Sequence, residues 1–477
     1  MYIVGQERRL VNPPSQVVAG VRTVTTNMDG RDALPRMSRP FAFSTLLPDP
    51  ETFSETSNRL LRARIPAVLF GNSGGFREDF SFNMQYLEIR LKREAKRYEI
   101  TIGRAVRKDL GKLLKRCLHS EPRRIGLISN KRVFGLYGKE IVRSLRREDF
   151  RVLPWLMPEG ERYKSFDVLE RAVNFLGENR LERNDLVVAL GGGVVGDLAG
   201  FAAASYLRGV SLVQVPTTLL AQIDSSVGGK TGINLPFGKN MVGAFHQPAA
   251  VLIDTETLES LPRRELVSGF CEMVKQSLVA SPKLFATTTM ILKEVNAGRD
   301  LLLGSKFEEL VASHCSFKAS IVANDEREST KRSDPLSRRI LNFGHTTAHA
   351  LEAITNYRRF RHGEAVGHGM VVAGEISKGL GLLTSAELES LREAVALCGT
   401  LPRADDLDID NILGALQRDK KSVGGQINWV LLEKIGSARI VDGKQISAKL
   451  LRLSLREGLK KKARQKDIPG NGHSKIK

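Results

Sequence analysis

Hydrophobic and polar positions follow two periods along this chain, and the change from one to the other divides it. From Tyr86, YLEIRL and RYEITIG alternate with period two, as half-buried strands do. VRKDLGKLLKRCL instead spaces its apolar residues three and four apart, as an amphipathic helix does. RIGLISN, FRVLPWLMP and DLVVALGGG read as short apolar strands, with helical patterns between them at 137–147 and 165–179. Strands alternating with helices predict βαβ units and a parallel sheet. From about Arg263 the strand pattern fades, and RRELVSGFCEMVKQSLVA and KFEELVASHCSFKASIVAND succeed one another as helices. One late hairpin is expected in GGQINWVLLEKIGSARIV. The pattern predicts an α/β protein: a parallel-sheet domain over 86–262, then a mostly α-helical domain over 263–455. Residues 1–85 lack periodicity and are expected to be a loosely ordered extension, a processed leader or a non-native upstream stretch, while 456–477 form a basic tail.

A length of 477 residues exceeds what one hydrophobic core usually supports, and 42% hydrophobic with 26% charged residues is a globular balance. Cys117, Cys271, Cys315 and Cys398 show no CxxC spacing, so neither a disulfide framework nor a cysteine zinc site is expected, and a reducing cytoplasm fits. The most membrane-like run, LVVALGGGVVGDLAGFAAASYL, is glycine-rich and broken by Asp197, and MYIVGQERRL lacks a signal-peptide pattern. The net charge of +20 raises the question of nucleic acid, and its location answers it. Residues 125–443 are nearly balanced, 39 basic against 38 acidic, whereas 86–124 carry 13 against 5 and the tail from Lys444 carries 11 against 2. The excess is peripheral and has no interleaved aromatics, so a solvated basic face is expected, with neither a nucleic-acid nor a membrane partner.

Three segments carry chemistry. DLVVALGGGVVGDLAGFAAA is a buried strand, a glycine turn and a helix, a junction at which a phosphate can approach backbone at the positive end of the helix dipole. It is not GxGxxG, and tight strand-helix packing also calls for glycine. QVPTTLLAQIDSSVGGKTGIN ends like a phosphate loop, but Asp224 stands where the P-loop needs glycine, which excludes an NTPase site. Lys230 and Lys239, with Asn240, lie in glycine-rich loops from which they can reach a phosphorylated or carboxylated substrate. In LNFGHTTAHALEA, His345 and His349 share a helix face, yet Thr346 replaces the glutamate a zinc protease requires. A metal could draw on Glu272, His345, His349 and His362, and spacing does not choose among them.

In order, GGGVVGDLAGF, YLRG, VPTTLLAQIDSSVGGKTGIN, GKNMVGAFHQP, the helix with Glu272 and Lys275, LNFGHTTAHALE and RHGEAVGHGM resemble the motifs of the 3-dehydroquinate synthase family, within the sugar-phosphate cyclases. The resemblance spans roughly residues 86 to 455. It implies an NAD-binding α/β domain facing a helical domain with one divalent metal, zinc or cobalt, in a cytoplasmic homodimer. The implied reaction, in the shikimate pathway, converts a phosphorylated heptulosonate to 3-dehydroquinate by transient oxidation, phosphate loss, re-reduction and aldol closure. Glu272, His345 and His362 would be the metal ligands. His349, Lys230, Asn240 and Arg338 would meet the substrate phosphate, with Arg208 from the neighbouring subunit; Asp224, Lys275, Lys318 and Asn342 would hold hydroxyls and carboxylate. The dinucleotide would lie across Gly192, Gly193, Val194 and Asp197, with Glu161, Lys164, Thr217, Thr218, Lys230, Lys239, Thr257, Leu258, Glu259 and Ser260 around it.

The chain departs from the family pattern at three places. Ala348 replaces the glycine of HTxGHA, STKRSDPLS lengthens the link between Glu328 and Arg338, and Asn130-Lys131-Arg132 replaces an Asp-x-Asn ribose contact. The competing readings are a sister cyclase acting on sedoheptulose 7-phosphate, a metal-dependent polyol dehydrogenase, and a basic binding protein on an inactive scaffold.

Overall fold

The computed structural model describes residues 19–23, 85–89, 97–118, 122–236, 238–298, 304–422 and 427–460. The chain divides into two compact units, Met1–Ala95 and Lys96–Lys477. In the first, β1 (Ala19–Thr23) pairs antiparallel with β2 (Gln85–Ile89). The other expectations for 1–85, and that for the tail beyond Lys460, lie outside the described residues.

The second unit begins with β3 (Glu99–Gly103), β4 (Arg124–Asn130), β5 (Arg151–Met157), β6 (Leu186–Gly191) and β7 (Ser211–Pro216). The hairpin β8 (Lys230–Leu235) and β9 (Gly238–Phe245) follows, then β10 (Ala250–Asp254). Six of these strands form one all-parallel sheet in the order β3-β10-β7-β6-β4-β5. Helix α1 (Leu110–Cys117) covers one face together with α3 (Lys139–Arg146), which α2 (Lys131–Val133) enters through a π turn; α4 (Phe166–Glu178) and α5 (Gly193–Ser205) cover the other. Strand β6 shows why its sequence is continuously apolar: Leu186, Val188 and Leu190 pack under α1 and α3, while Val187 and Ala189 pack under α4 and α5. The chain reverses direction across the sheet between β4 and β6, so a crevice opens at their carboxyl ends, where Asn130 and Gly192 stand.

Helices then dominate: α6 (Arg263–Ala280), α7 (Pro282–Asn296), α8 (Ser305–Asn324), α9 (His345–Ile354), α10 (His362–Gly379), α11 (Ser385–Cys398), α12 (Ile409–Ser422) and α13 (Ala448–Leu459). The expected late hairpin is β11 (Asn428–Lys434) with β12 (Ser437–Asp442). Helix α10 is the centre of this half, buried along most of its length and packed against α6, α9, α11 and α13. Helix α13 continues to Leu459, whose side chain is buried. No helix among the described residues is long and apolar enough to cross a membrane.

One local expectation is corrected. The glycine-rich stretches around Lys230 and Lys239 are not loops but the two strands of β8-β9. Gly232 pairs with Gly243, and a Cβ on Gly243 would fall 2.0 Å from the Thr231 carbonyl oxygen, so here glycine permits close strand approach rather than a turn. Gly243→Ala should therefore destabilise the protein by about 1–3 kcal/mol, the usual range for overpacking; denaturant unfolding of the two proteins measures the difference.

Candidate active site

Glu272 and Lys275 stand three residues apart on α6 and so share one helix face. Both are buried, and the Lys275 ammonium lies 2.6 Å from Glu272 Oε2. Neither oxygen of Glu272 accepts a well-directed hydrogen bond among the described residues. Two histidines face this carboxylate from helix beginnings. His345 opens α9, with Nδ1 3.3 Å from the Phe343 carbonyl oxygen. His362 opens α10, with Nδ1 3.5 Å from Glu352 Oε1 and Nε2 3.8 Å from Glu272 Oε1. With Nδ1 of each ring on a protein acceptor, Nε2 of each is left for another partner. One ligand atom from each of Glu272, His345 and His362 lies within 4.8 Å of the others, so the donor set suits a zinc-like ion. Burial and the nearby Lys275 charge hold His345 well below the ordinary imidazole pKa, in the form that can coordinate. His349 lies one turn on, exposed, its ring centre 5.6 Å from that of His345 and 6.2 Å from that of His362.

Beside this cluster Lys318 on α8 donates to Asp224 Oδ1 at 2.5 Å. Burial alone would raise the Asp224 pKa, but Lys318 and Lys275 outweigh it and hold the carboxyl well below its usual range. A second group joins Lys230 and Asn342 through Glu328, whose carboxylate receives both the Lys230 ammonium and the Asn342 amide, the latter at 2.9 Å. Arg338 is buried and donates to the Glu326 carbonyl oxygen at 2.7 Å. Its guanidinium fills the space over Gly228, where a Cβ would stand 2.6 Å from Nη2; Gly228 and its neighbour Gly229 have φ of 100° and 63°. The longer link before Arg338 is closed from both ends by Asp325. Oδ1 accepts from the Ser329 amide at 2.8 Å and Oδ2 from the Arg338 amide at 2.9 Å. Ala348, the other departure on this side, is fully buried on α9.

The residues expected around a dinucleotide line the carboxyl edge of the sheet. Gly192 is the N-cap of α5, which no side chain caps, and Gly193 and Val194 follow it. Thr217 and Thr218 follow β7, and the Thr217 amide donates to the Gly191 carbonyl oxygen. Lys164 is buried and donates to Asp197 Oδ2 at 2.6 Å and also to Asn240 Oδ1, which ties the expected cofactor and phosphate groups together. Glu161 receives Asn234 Nδ2 at 2.8 Å, and Lys164 with Lys239 holds its pKa down against burial. Thr257 and Leu258 point into the core, Glu259 approaches Arg104, and Ser260 bonds Tyr137. Asn130 caps α2 through the Val133 amide at 2.9 Å. Arg208 stands apart: its turn leads into the start of β7, at the opposite edge of the sheet, with Leu207 and Arg208 at φ of 50° and 67°.

Glu352, Glu328 and Gln276 escaped the sequence reading. Glu352 had a signal, since 345, 349 and 352 are i, i+4 and i+7 on one helix face. Gln276 also had one, four residues after Glu272 on α6, whereas Glu328 touches the site only through tertiary contacts and had none.

Solved structures share this fold. That of 2-epi-5-epi-valiolone synthase from Streptomyces hygroscopicus subsp. jinggangensis 5008, with NAD+ and Zn2+ bound, has a TM-score of 0.68 at 24% identity, covering 78% of this chain and 99% of that one. A 2-deoxy-scyllo-inosose synthase complexed with carbaglucose-6-phosphate, NAD+ and Co2+ has a TM-score of 0.64 at 25% identity, covering 76% and 96%. The fold is thus that of the sugar-phosphate cyclases. Residues 154–268 match the 3-dehydroquinate synthase N-terminal family and 269–422 the 3-dehydroquinate synthase C-terminal family. A 3-dehydroquinate synthase from Nostoc sp. (strain PCC 7120) is 43% identical over 351 residues, 72% of this chain and 93% of that protein. The chain belongs to the 3-dehydroquinate synthase family.

Behind the site, Gln276 donates to the Ile223 carbonyl oxygen at 3.0 Å and reaches Asp224 Oδ1 at 3.4 Å. The fully buried His314 supports it, with Nδ1 3.0 Å from Gln276 Oε1 and Nε2 3.2 Å from Thr288 Oγ1. Burial pushes the His314 pKa down from 6.5 to about 3. Between these values the unfolded chain binds a proton that the folded one excludes, so the stability His314 provides is complete above pH 6.5 and lost as the pH falls toward 3. His314→Asn should flatten the loss of stability on the acid side of pH 6.5, as urea unfolding over a pH series would show.

Proposed function

We propose that this chain converts 3-deoxy-D-arabino-heptulosonate 7-phosphate to 3-dehydroquinate and phosphate, using NAD+ and one divalent ion, Zn2+ or Co2+. The observation that carries this reading is the convergence of His345 and His362 on the buried carboxylate of Glu272, beside a belt of cationic side chains, in a chain of this family. When bound, the ion would acidify a substrate hydroxyl and the nicotinamide would take up and return hydride. The chain's own residues bind, orient and supply charge.

Asp224, kept ionised by Lys318 and Lys275, accepts from substrate hydroxyls. Lys230 and Asn342 already converge on one carboxylate, so an anionic group of the substrate would meet both, with Arg338 behind the Gly228 turn. His349, exposed beside the cluster, is assigned to the phosphate. The glycine turn at Gly192–Gly193, with Asp197, Lys164 and Glu161, would receive the dinucleotide at the sheet's switch point. Fixed charges of this kind act strongly because they need no reorganisation during reaction. We further read the protein as a cytoplasmic homodimer in which Arg208, exposed at the far edge of its own sheet, serves the neighbouring subunit's phosphate pocket.

The direct test supplies the heptulosonate phosphate, NAD+ and Zn2+ or Co2+, and follows phosphate. Release without NADH accumulation is expected, with none from sedoheptulose 7-phosphate. Release from the latter alone would identify a sister cyclase, and stoichiometric NADH a dehydrogenase. His345→Ala should lose the bound metal, whereas His349→Ala should keep it and slow phosphate release; elemental analysis of both variants separates the two roles. If Arg208 acts in trans, inactive Arg208→Ala and His345→Ala dimers should complement after subunit exchange, to about a quarter of wild-type activity in an equal mixture, because half the dimers are mixed and each holds one intact site.

A further inference from the structure

Glu352 occupies a place that no step above uses. Its side chain is buried on α9, and Oε1 faces two groups on other elements: Nδ1 of His362 on α10 at 3.5 Å, and Nζ of Lys239 on β9 at 2.9 Å. Oε2 has no hydrogen-bond partner among the described residues. The Lys239 ammonium is itself held, 4.7 Å above the ring of Tyr357, whose backbone amide returns to the Glu352 carbonyl oxygen at 2.8 Å. The carboxylate is therefore fixed by a lysine that is fixed in turn.

We propose that Glu352 is a positioning residue that sets the tautomer and ring orientation of His362, with Lys239 as its anchor. The inference rests on the metal-centre reading above. A carboxylate opposite Nδ1 requires the proton there, which leaves the Nε2 lone pair directed to the side where Glu272 lies. Such an outer carboxylate also makes the imidazole a more basic ligand. His362 needs this support more than His345, whose Nδ1 already faces the backbone carbonyl of Phe343, two residues away on its own segment. Because Lys239 belongs to a hairpin beside the sheet and Glu352 to the helical half, the same carboxylate also couples the geometry of the ion's ligand to the position of β9.

The test measures Co2+ affinity by chelator competition, and the visible absorption of the bound Co2+, on the full chain without substrate. Glu352→Ala should weaken Co2+ about 10–100-fold, the usual effect of losing an outer-shell partner, and change the spectrum. Glu352→Gln keeps an acceptor of the same shape; it should weaken binding less, with the wild-type spectrum, and it carries the test alone if the alanine variant does not fold. His362→Ala is the reference and should lose the ion. Wild-type affinity in the Glu352 variants, with the ion lost from His362→Ala, would overturn the positioning role. An ion retained by His362→Ala would instead overturn the metal-centre reading on which that role rests.

Discussion

An ionised carboxylate does not remain in an apolar interior unless opposite charge stays with it, and Glu272 imposes that condition on the helical half of this protein. Lys275 answers it from the same helix, but a buried lysine has its own desolvation cost, so Asp224 and then Lys318 extend the series. Glu272, Lys275, Asp224 and Lys318 alternate in sign from α6 through the 221–225 turn to α8. Removing Asp224, for instance, leaves Lys318 buried without its counter-charge, which is far costlier than the net worth of the pair. The elements that carry these residues are thereby held in one relative arrangement. His345 and His362 arrive at a place whose charge is already determined. The chemistry and the packing are for that reason one problem: the groups that would handle a polyhydroxy anion also keep one another tolerable in the interior.

Much of this was legible along the chain. RIGLISN is β4 and RRELVSGFCEMVKQSLVA is α6 from end to end, because both are buried segments with unbroken periods and clear terminators. The β8-β9 hairpin was not, since glycine carries no side-chain period, and opposed glycines in a sheet read locally like a turn. For the site, the helix face with His345 and His349 was visible, but local spacing could not tell which histidine meets Glu272. That depends on how α9 and α10 pack together and on α10 meeting α6, and α10 begins where Glu364 caps it through the Arg361 amide and anchors to Arg264. Glu328 remained hidden for a related reason: its partners Lys230 and Asn342 come from distant segments that only the fold brings together.

The link before Arg338 is closed at its two ends by one carboxylate. The residues that matter are those at its ends, Ser329 and Arg338, whose amides share the carboxylate of Asp325. Between them Arg332 donates to the Asn324 carbonyl oxygen and the Thr330 carbonyl oxygen accepts from Arg339 at 3.3 Å, while further length in an already closed loop adds little entropy cost. Extra residues between Thr330 and Leu336 would leave the Asp325 clamp on the Arg338 amide in place. A reporter or affinity peptide spliced into the exposed part of this span would lie outside the clamp, with Arg338 still anchored through its own amide.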